Sequence, residues 1–164
     1  RDRPSADPLV FITMGGTPIG FPFLEQLKDS FPEIRFAVSG ASETIETDRN
    51  LTLLPVRGPL HHPDLVRAAD LVIGKAGYST IAEVHATGVP FGCFIRADYP
   101  EMGPLVKFIE REIPAKMLAS ENFANGAGLE ELPELLAMKR VFRPSVSAAT
   151  ECAALVQTSL LGRK

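Results

Sequence analysis

Two short stretches set glycine, hydroxyl and charged side chains where an apolar run gives way to a helix. One is Gly74-Lys75-Ala76-Gly77-Tyr78-Ser79-Thr80, with Glu83 about a turn further on; the other is Gly15-Gly16-Thr17-Pro18. Glycine lets a backbone take positive φ, or approach a ligand where a Cβ would intrude. The first free amides of a helix, at the positive end of its dipole, favour phosphate. Amides at Gly16-Thr17 and Ser79-Thr80, the hydroxyls of both turns and the Lys75 ammonium therefore suit a diphosphate. A carboxylate at Glu83 can accept from two vicinal hydroxyls, as on a ribose. Arg96, Asp98 and Glu101, after the next apolar run, are placed to face whatever lies beyond the phosphates. The set describes a nucleotide carrying a hydroxylated group. Plain structural roles compete with it. Thr80-Ile81-Ala82-Glu83 fits a capping box in which Glu83 reaches back to the cap amide, Lys75 can be a solvated turn charge, and Arg96 with Asp98 a local ion pair.

Other chemistries lack their residues. The chain has no P-loop run of the form GxxxxGKS or GxxxxGKT, and no six-residue dinucleotide fingerprint. No serine sits in a nucleophile elbow, and no histidine and carboxylate are spaced so that sequence alone brings them together. His61 and His62 are adjacent and so do not share a helix face, and no cluster with ligand spacing accompanies them; neither a metal nor a cofactor is expected. Cys93 and Cys152 are expected as two reduced core thiols.

The elements that hold the two turns follow from the apolar pattern. Leu71-Val72-Ile73 suits a strand buried on both faces, with a turn over residues 74–78. Ser79 and Thr80 are good N-cap residues, so a helix begins at one of them and stops at Gly88 before a strand over residues 91–95. Residues 9–14 form a strand ahead of the Gly15 turn, followed by a helix over 21–29. Strands follow over 34–39 and 51–56, separated by a polar, irregular loop over 41–50. His61–Asp70 reads as a short helix with Pro63 in its first turn. A helix over 102–113, a short strand over 115–119, a helix over 129–138 interrupted by Pro133, and a terminal helix over 146–161, packed on the sheet or on a neighbouring domain, complete the chain. About six strands alternating with helices make a doubly wound parallel sheet the economical α/β architecture. Both Gly-marked turns then fall on its carboxyl edge, flanking one crevice.

At 164 residues the chain can bury one ordinary core. It is 45% hydrophobic and 23% charged, which suits a globular domain. A net charge of −3 argues against nucleic acid as a partner. No apolar run approaches the ~18 residues of a membrane span, and no signal peptide opens the chain, so a cytoplasmic location is expected. The lead Arg1-Asp2-Arg3-Pro4 has no Met and reads as linker: residues 1–8 are expected as a linker remnant, with a further domain upstream.

The run from Asp70 through Gly77, Thr80 and Glu83, followed by Gly88-Val89-Pro90, resembles the signature of the C-terminal, nucleotide-sugar-binding domain of GT-B glycosyltransferases, within them the MurG-like group. Phe11 to Thr17 is similar to that group's Gly-rich loop, and the likeness spans roughly residues 9–113. It implies a Rossmann-like three-layer sandwich over residues 9–164 that binds a UDP-sugar. By motif position, Gly77, Tyr78, Ser79 and Thr80 would lie along the diphosphate and Glu83 would bind the ribose hydroxyls. Gly15, Gly16 and Thr17 would approach the phosphates and the donor or acceptor groups. Lys75 falls where the family often has Arg, and residues 57–61 where backbone groups meet the base. The family commonly places an acid followed by Gln at the sugar; here Met102 follows Glu101, so the acid is kept and the amide lost. The run 96–101 is closer to the glycosyltransferase-like region fused to some plant arabinose kinases. Because the general base of inverting GT-B enzymes usually comes from the N-terminal acceptor domain, the resemblance implies no catalytic residue in this chain, which alone would bind without turnover. Peripheral membrane association of the full-length protein is a further implication. A noncatalytic binding or interaction domain of this fold, or half of a UDP-sugar epimerase, are the alternatives.

Overall fold

A computed structural model describes residues 7–15, 22–95, 100–119, 126–142 and 148–162. The apolar runs, joined by one short polar strand, pair into one sheet of β1 (Leu9–Thr13), β2 (Arg35–Ser39), β3 (Glu46–Asp48), β4 (Leu51–Leu54), β5 (Leu71–Lys75), β6 (Phe91–Phe94) and β7 (Ala115–Leu118). Its order is β3-β4-β2-β1-β5-β6-β7, parallel except for β3, which runs against β4 at one edge. The helices are α1 (Leu24–Ser30), α2 (His62–Ala68), α3 (Tyr78–Thr87), α4 (Met102–Glu112), α5 (Leu132–Ala137) and α6 (Ala148–Val156).

Strand alternation sends neighbouring side chains to opposite faces and builds two cores. Val10, Ile12, Phe36, Val38, Leu71 and Ile73 pack with Leu27 of α1 and with Leu132 and Leu135 of α5. Phe11, Ala37, Val72, Phe91 and Cys93 pack on the other face with Val66 of α2, Val84 of α3 and Ile109 of α4. This is a three-layer, doubly wound sandwich. The chain winds outward from β1 through β2 and β4, then returns through α2 to β5 and winds the other way. The switch point therefore lies between β1 and β5, where Thr13 stands opposite Gly74.

Several expectations are corrected. Among the described residues the sheet has seven strands, because part of the presumed loop at 41–50 forms β3. Its three residues are all exposed, so no apolar pattern marks them. Antiparallel pairing with β4 holds β3, and Lys28 of α1 reaches it through a 2.7 Å bond to Asp48. That contact, with Glu25 also at 2.7 Å, raises the Lys28 pKa, while Lys28 lowers that of Asp48. β5 runs on past Ile73 through Gly74 to Lys75. Pro133 sits in the first turn of α5, after a 3₁₀ turn over Ala127–Glu131, and so starts that helix rather than interrupting it. The terminal helix does not pack on the sheet: residues 149–159 are exposed, Leu155 to 71%. Cys152 is consequently exposed and not a core thiol, whereas Cys93 is buried, and burial pushes its pKa up to about 12. Among the described residues, no helix is long and apolar enough to cross a membrane.

The far end of α3 is fixed by Gly88, whose φ of 67 closes the helix with its amide donating to the Val84 carbonyl. The Val141 amide donates to the Gly88 carbonyl at 2.9 Å, and a Cβ at Gly88 would come within 1.8 Å of the Val141 oxygen. Arg140 adds bonds to the carbonyls of Thr87 and Ala69, tying the ends of α3 and α2 together.

Two outcomes are expected. Gly88→Ala lowers stability by at least on the order of 1–2 kcal/mol from the left-handed backbone alone, before the clash with Val141; an unchanged urea midpoint would contradict the contact. A disulfide reagent in mildly alkaline buffer reacts with Cys152 in the native chain and with both cysteines only after denaturation. Rapid reaction of two thiols in the native state would contradict the burial of Cys93.

Candidate functional site

The carboxyl ends of β1 and β5 carry the site. β5 comes close to β1 because residue 74 has no side chain: a Cβ there would meet the Thr13 carbonyl oxygen at 2.3 Å. Gly74 thus serves strand packing and not a ligand turn. Beyond β5 the chain turns tightly, with the Gly77 amide donating to the Lys75 carbonyl at 2.8 Å, and α3 begins.

That beginning differs from the expected capping box. The N-cap is Gly77, extended at φ −111 and ψ 152, and no side chain caps the helix. Thr80 lies inside the first turn and is buried. Glu83 does not reach back to a cap amide; its Oε2 lies 2.6 Å from Nδ1 of His62. The first amides of α3, at Tyr78, Ser79 and Thr80, are therefore left without side-chain caps at the crevice. Gly77 is not a glycine for reasons of φ. A Cβ on it would have only Lys75 Cε nearby, at 4.0 Å, so the fold itself does not demand a glycine there.

His62 opens α2, which packs beside α3, and its ring stands edge-on against Phe11 of β1 with centroids 5.2 Å apart. Its Nε2 is 3.0 Å from the Thr13 hydroxyl, and that hydroxyl also accepts from the Gly15 amide at 3.3 Å. Gly15 itself takes φ +65. The protons can be placed from these partners. Ionised Glu83 can only accept, so Nδ1 carries hydrogen; in the neutral ring Nε2 then accepts from the Thr13 hydroxyl. One chain of donation runs from the Gly15 amide through Thr13 and His62 to Glu83.

Hydroxyl, imidazole and carboxylate in this order have the layout of a nucleophile, base and orienting acid. Thr13 is only 1% exposed and its oxygen already accepts from the Gly15 amide, so it is not placed to attack a substrate. The arrangement fixes Glu83. Side-chain exposures of 33% for His62 and 20% for Glu83 leave both at the cleft wall.

The cleft has three parts along the carboxyl edge. The central one, about 290 Å³, is lined by Thr13, Gly15, Ser39, Val56, His62, Ser79, Thr80 and Glu83. A smaller recess shares Ser39, Val56 and His62 with it and is otherwise walled by Leu54 at the end of β4, by residues of the 55–60 loop and by Ile45 and Leu65. Ile45, Val56 and Leu60 are exposed there and give it an apolar lip. On the other side of the α3 start, about 160 Å³ lies between Lys75, Gly77, Tyr78, Glu101 and Met102. The structure thus gathers Gly15, Ser79, Thr80 and Glu83 in one cavity, and Lys75, Gly77, Tyr78 and Glu101 in the next. Gly16, Thr17, Arg96 and Asp98 lie outside the described residues.

Thr13, Ser39, Val56 and His62 were not singled out by sequence for this site. The usable signal for His62 was its position after β4, where a connection must cross the same sheet edge as the two Gly-marked turns. Its pairing with Glu83, 21 residues away, depends on α2 lying against α3, which no local pattern states. Among the described residues, no three metal-capable side chains come together.

Residues 59–103 match the family described as the Glycosyltransferase family 28 C-terminal domain. The chain is 27% identical over 157 residues to the L-arabinokinase of Arabidopsis thaliana, covering 94% of this chain and 14% of that protein, in line with the likeness of the 96–101 run. Among solved structures, the glycotransferase of kitacinnamycin superposes with a TM-score of 0.61 at 16% identity, over 99% of this chain and 41% of that one. MurG of Acinetobacter baumannii gives 0.59 at 17% identity, over 95% of this chain and 51% of that one. The chain spans about half or less of the length of each of these three proteins.

The proton placement generates an expected outcome. Long-range ¹H–¹⁵N spectra in alkaline buffer report His62 as the Nδ1–H tautomer, the less common one for a free imidazole, and Glu83→Gln weakens that preference. An Nε2–H tautomer in the unaltered chain would contradict the Thr13-His62-Glu83 chain.

Proposed function

We propose that this chain, which has the fold of the C-terminal domain of a GT-B glycosyltransferase, binds a nucleotide sugar, with uridine diphosphate as the nucleotide, as the donor-binding half of an enzyme that transfers the sugar to an acceptor. The observation that carries the reading is the cleft at the β1/β5 switch point, where Glu83, the uncapped start of α3 and the Gly15 turn face one space. The apolar-lipped recess at the 55–60 loop takes the base. Glu83 accepts from the ribose hydroxyls. The amides of residues 78–80 and those of Gly15, Gly16 and Thr17 receive the diphosphate, with the Lys75 ammonium beside them. Glu101, with Arg96, meets the sugar.

Transfer would then need little covalent help from this half. An acceptor hydroxyl attacks the anomeric carbon, the bond from that carbon to the diphosphate oxygen breaks, and the nucleotide leaves with charge stabilised by helix amides and Lys75. The acceptor proton would go to a base on a second, acceptor-binding half; this chain spans 51% of the MurG chain. A noncatalytic nucleotide-binding module is the second reading. The likeness to a protein named as a kinase, of which the chain spans 14%, favours it, as does Met102 in place of the amide that commonly follows the acid. Sugar transfer from a UDP-sugar by the protein carrying both halves separates the two.

Calorimetric titration is expected to show UDP binding in preference to ADP and GDP. UDP at a hundred times its dissociation constant adds about 2.7 kcal/mol of stability, readable as a thermal shift. Gly77→Val is expected to fold with a modestly lowered unfolding temperature, since the extended backbone suits a β-branched residue and a Cβ there meets only Lys75 Cε at 4.0 Å while valine is a poorer N-cap than glycine, and to abolish UDP binding. Binding of ADP equal to that of UDP would change the donor; binding of no nucleotide, or undiminished binding by folded Gly77→Val, would remove the reading.

A further inference from the structure

We propose that His62 is the positioning residue that makes the site selective for ribonucleotides over 2′-deoxyribonucleotides. The inference rests on the donor-site reading above and concerns how Glu83 is held ready for the ribose. A glutamate near the start of a helix has three rotatable bonds, and its carboxylate has a local competitor in the Ser79 hydroxyl, four residues back on the same helix face. Accepting from two vicinal hydroxyls requires that the carboxylate be held out of that local contact, with an oxygen left over.

The structure supplies both conditions. Nδ1 of His62 engages Oε2 at 2.6 Å, and among the described residues Oε1 has no hydrogen-bond partner. The imidazole is itself held at two further points, by Nε2 against the Thr13 hydroxyl at 3.0 Å and by its edge-on packing against the buried Phe11. Because Thr13 also receives the Gly15 amide, the carboxylate is referenced to the β1 turn across the switch point rather than to its own helix. A donor at Nδ1 is what the function needs; the Nε2 contact serves only to aim it.

This direction gives the test. Asn places an amide nitrogen near the position of Nδ1 and keeps a donor for Glu83, whereas Gln reaches toward the Nε2 position and leaves Oε2 without one. The measurement is the ratio of UDP to 2′-deoxy-UDP affinity by calorimetry on the whole chain, with thermal unfolding of each variant alongside. The unaltered chain is expected to prefer UDP by about tenfold or more, the value of a hydrogen bond to a charged group. His62→Asn keeps most of that preference, and His62→Gln and His62→Ala bring the ratio close to one through weaker UDP binding. A merely structural histidine would lower the unfolding temperature in all three and leave the ratio unmoved. Retained discrimination in folded His62→Gln, or equal ratios for His62→Asn and His62→Gln, overturns the proposal and leaves the donor site standing. Equal binding of UDP and 2′-deoxy-UDP by the unaltered chain, or binding of neither, removes the ribose role of Glu83 and this proposal with it.

Discussion

The near contact of β5 with β1 at Gly74 governs the rest of the molecule's working edge. With the Thr13 carbonyl 2.3 Å from where a Cβ would stand, no other residue fits between the two strands without moving one of them. Their register sets Thr13 beside Gly74, so the turn leaving β1 and the helix entered from β5 emerge side by side. The connections then depart in opposite directions from this one seam, which opens a crevice there. A wider spacing would separate the Gly15 turn from the start of α3 and leave neither able to share a ligand with the other.

The helices on that face turn the crevice into a site. Val66 of α2 and Val84 of α3 are both fully buried in the same core, which lays the two helices together and brings His62 to Glu83. Their far ends are tied by Arg140, which bonds the carbonyls of Ala69 and Thr87, and by the backbone pairing of Val141 with Gly88. Apolar packing thus sets the gross position, and three hydrogen bonds from Gly15 to Glu83 set the aim.

Much of this was legible in the residues. Buried parallel strands announce themselves as unbroken apolar runs, so β1, β5 and β6 and the Gly-marked turns between them were found, and adjacency of β1 and β5 followed from ordinary winding. Signals that depend on a third element were not. Thr80 and Glu83 have capping-box spacing, yet the helix starts earlier at Gly77, and Glu83 finds a partner on α2. Gly74 looked like a turn residue because a strand glycine made necessary by a neighbouring carbonyl leaves no local trace. β3 is polar throughout and exists because Lys28 and the edge of β4 receive it. The terminal helix has an apolar composition that suggests packing, but composition does not say against what, and its described residues stand exposed.

The most direct test of the account is a ¹⁵N-resolved amide titration of the chain with UDP. The account predicts shift changes confined to the carboxyl edge: at Gly58 and Leu60 for the base, at Glu83 and its neighbours for the ribose, and at Gly15 and residues 77–80 for the diphosphate. Binding that leaves these amides still, and instead moves those around Lys28 and Asp48 or along the exposed terminal helix, would contradict it.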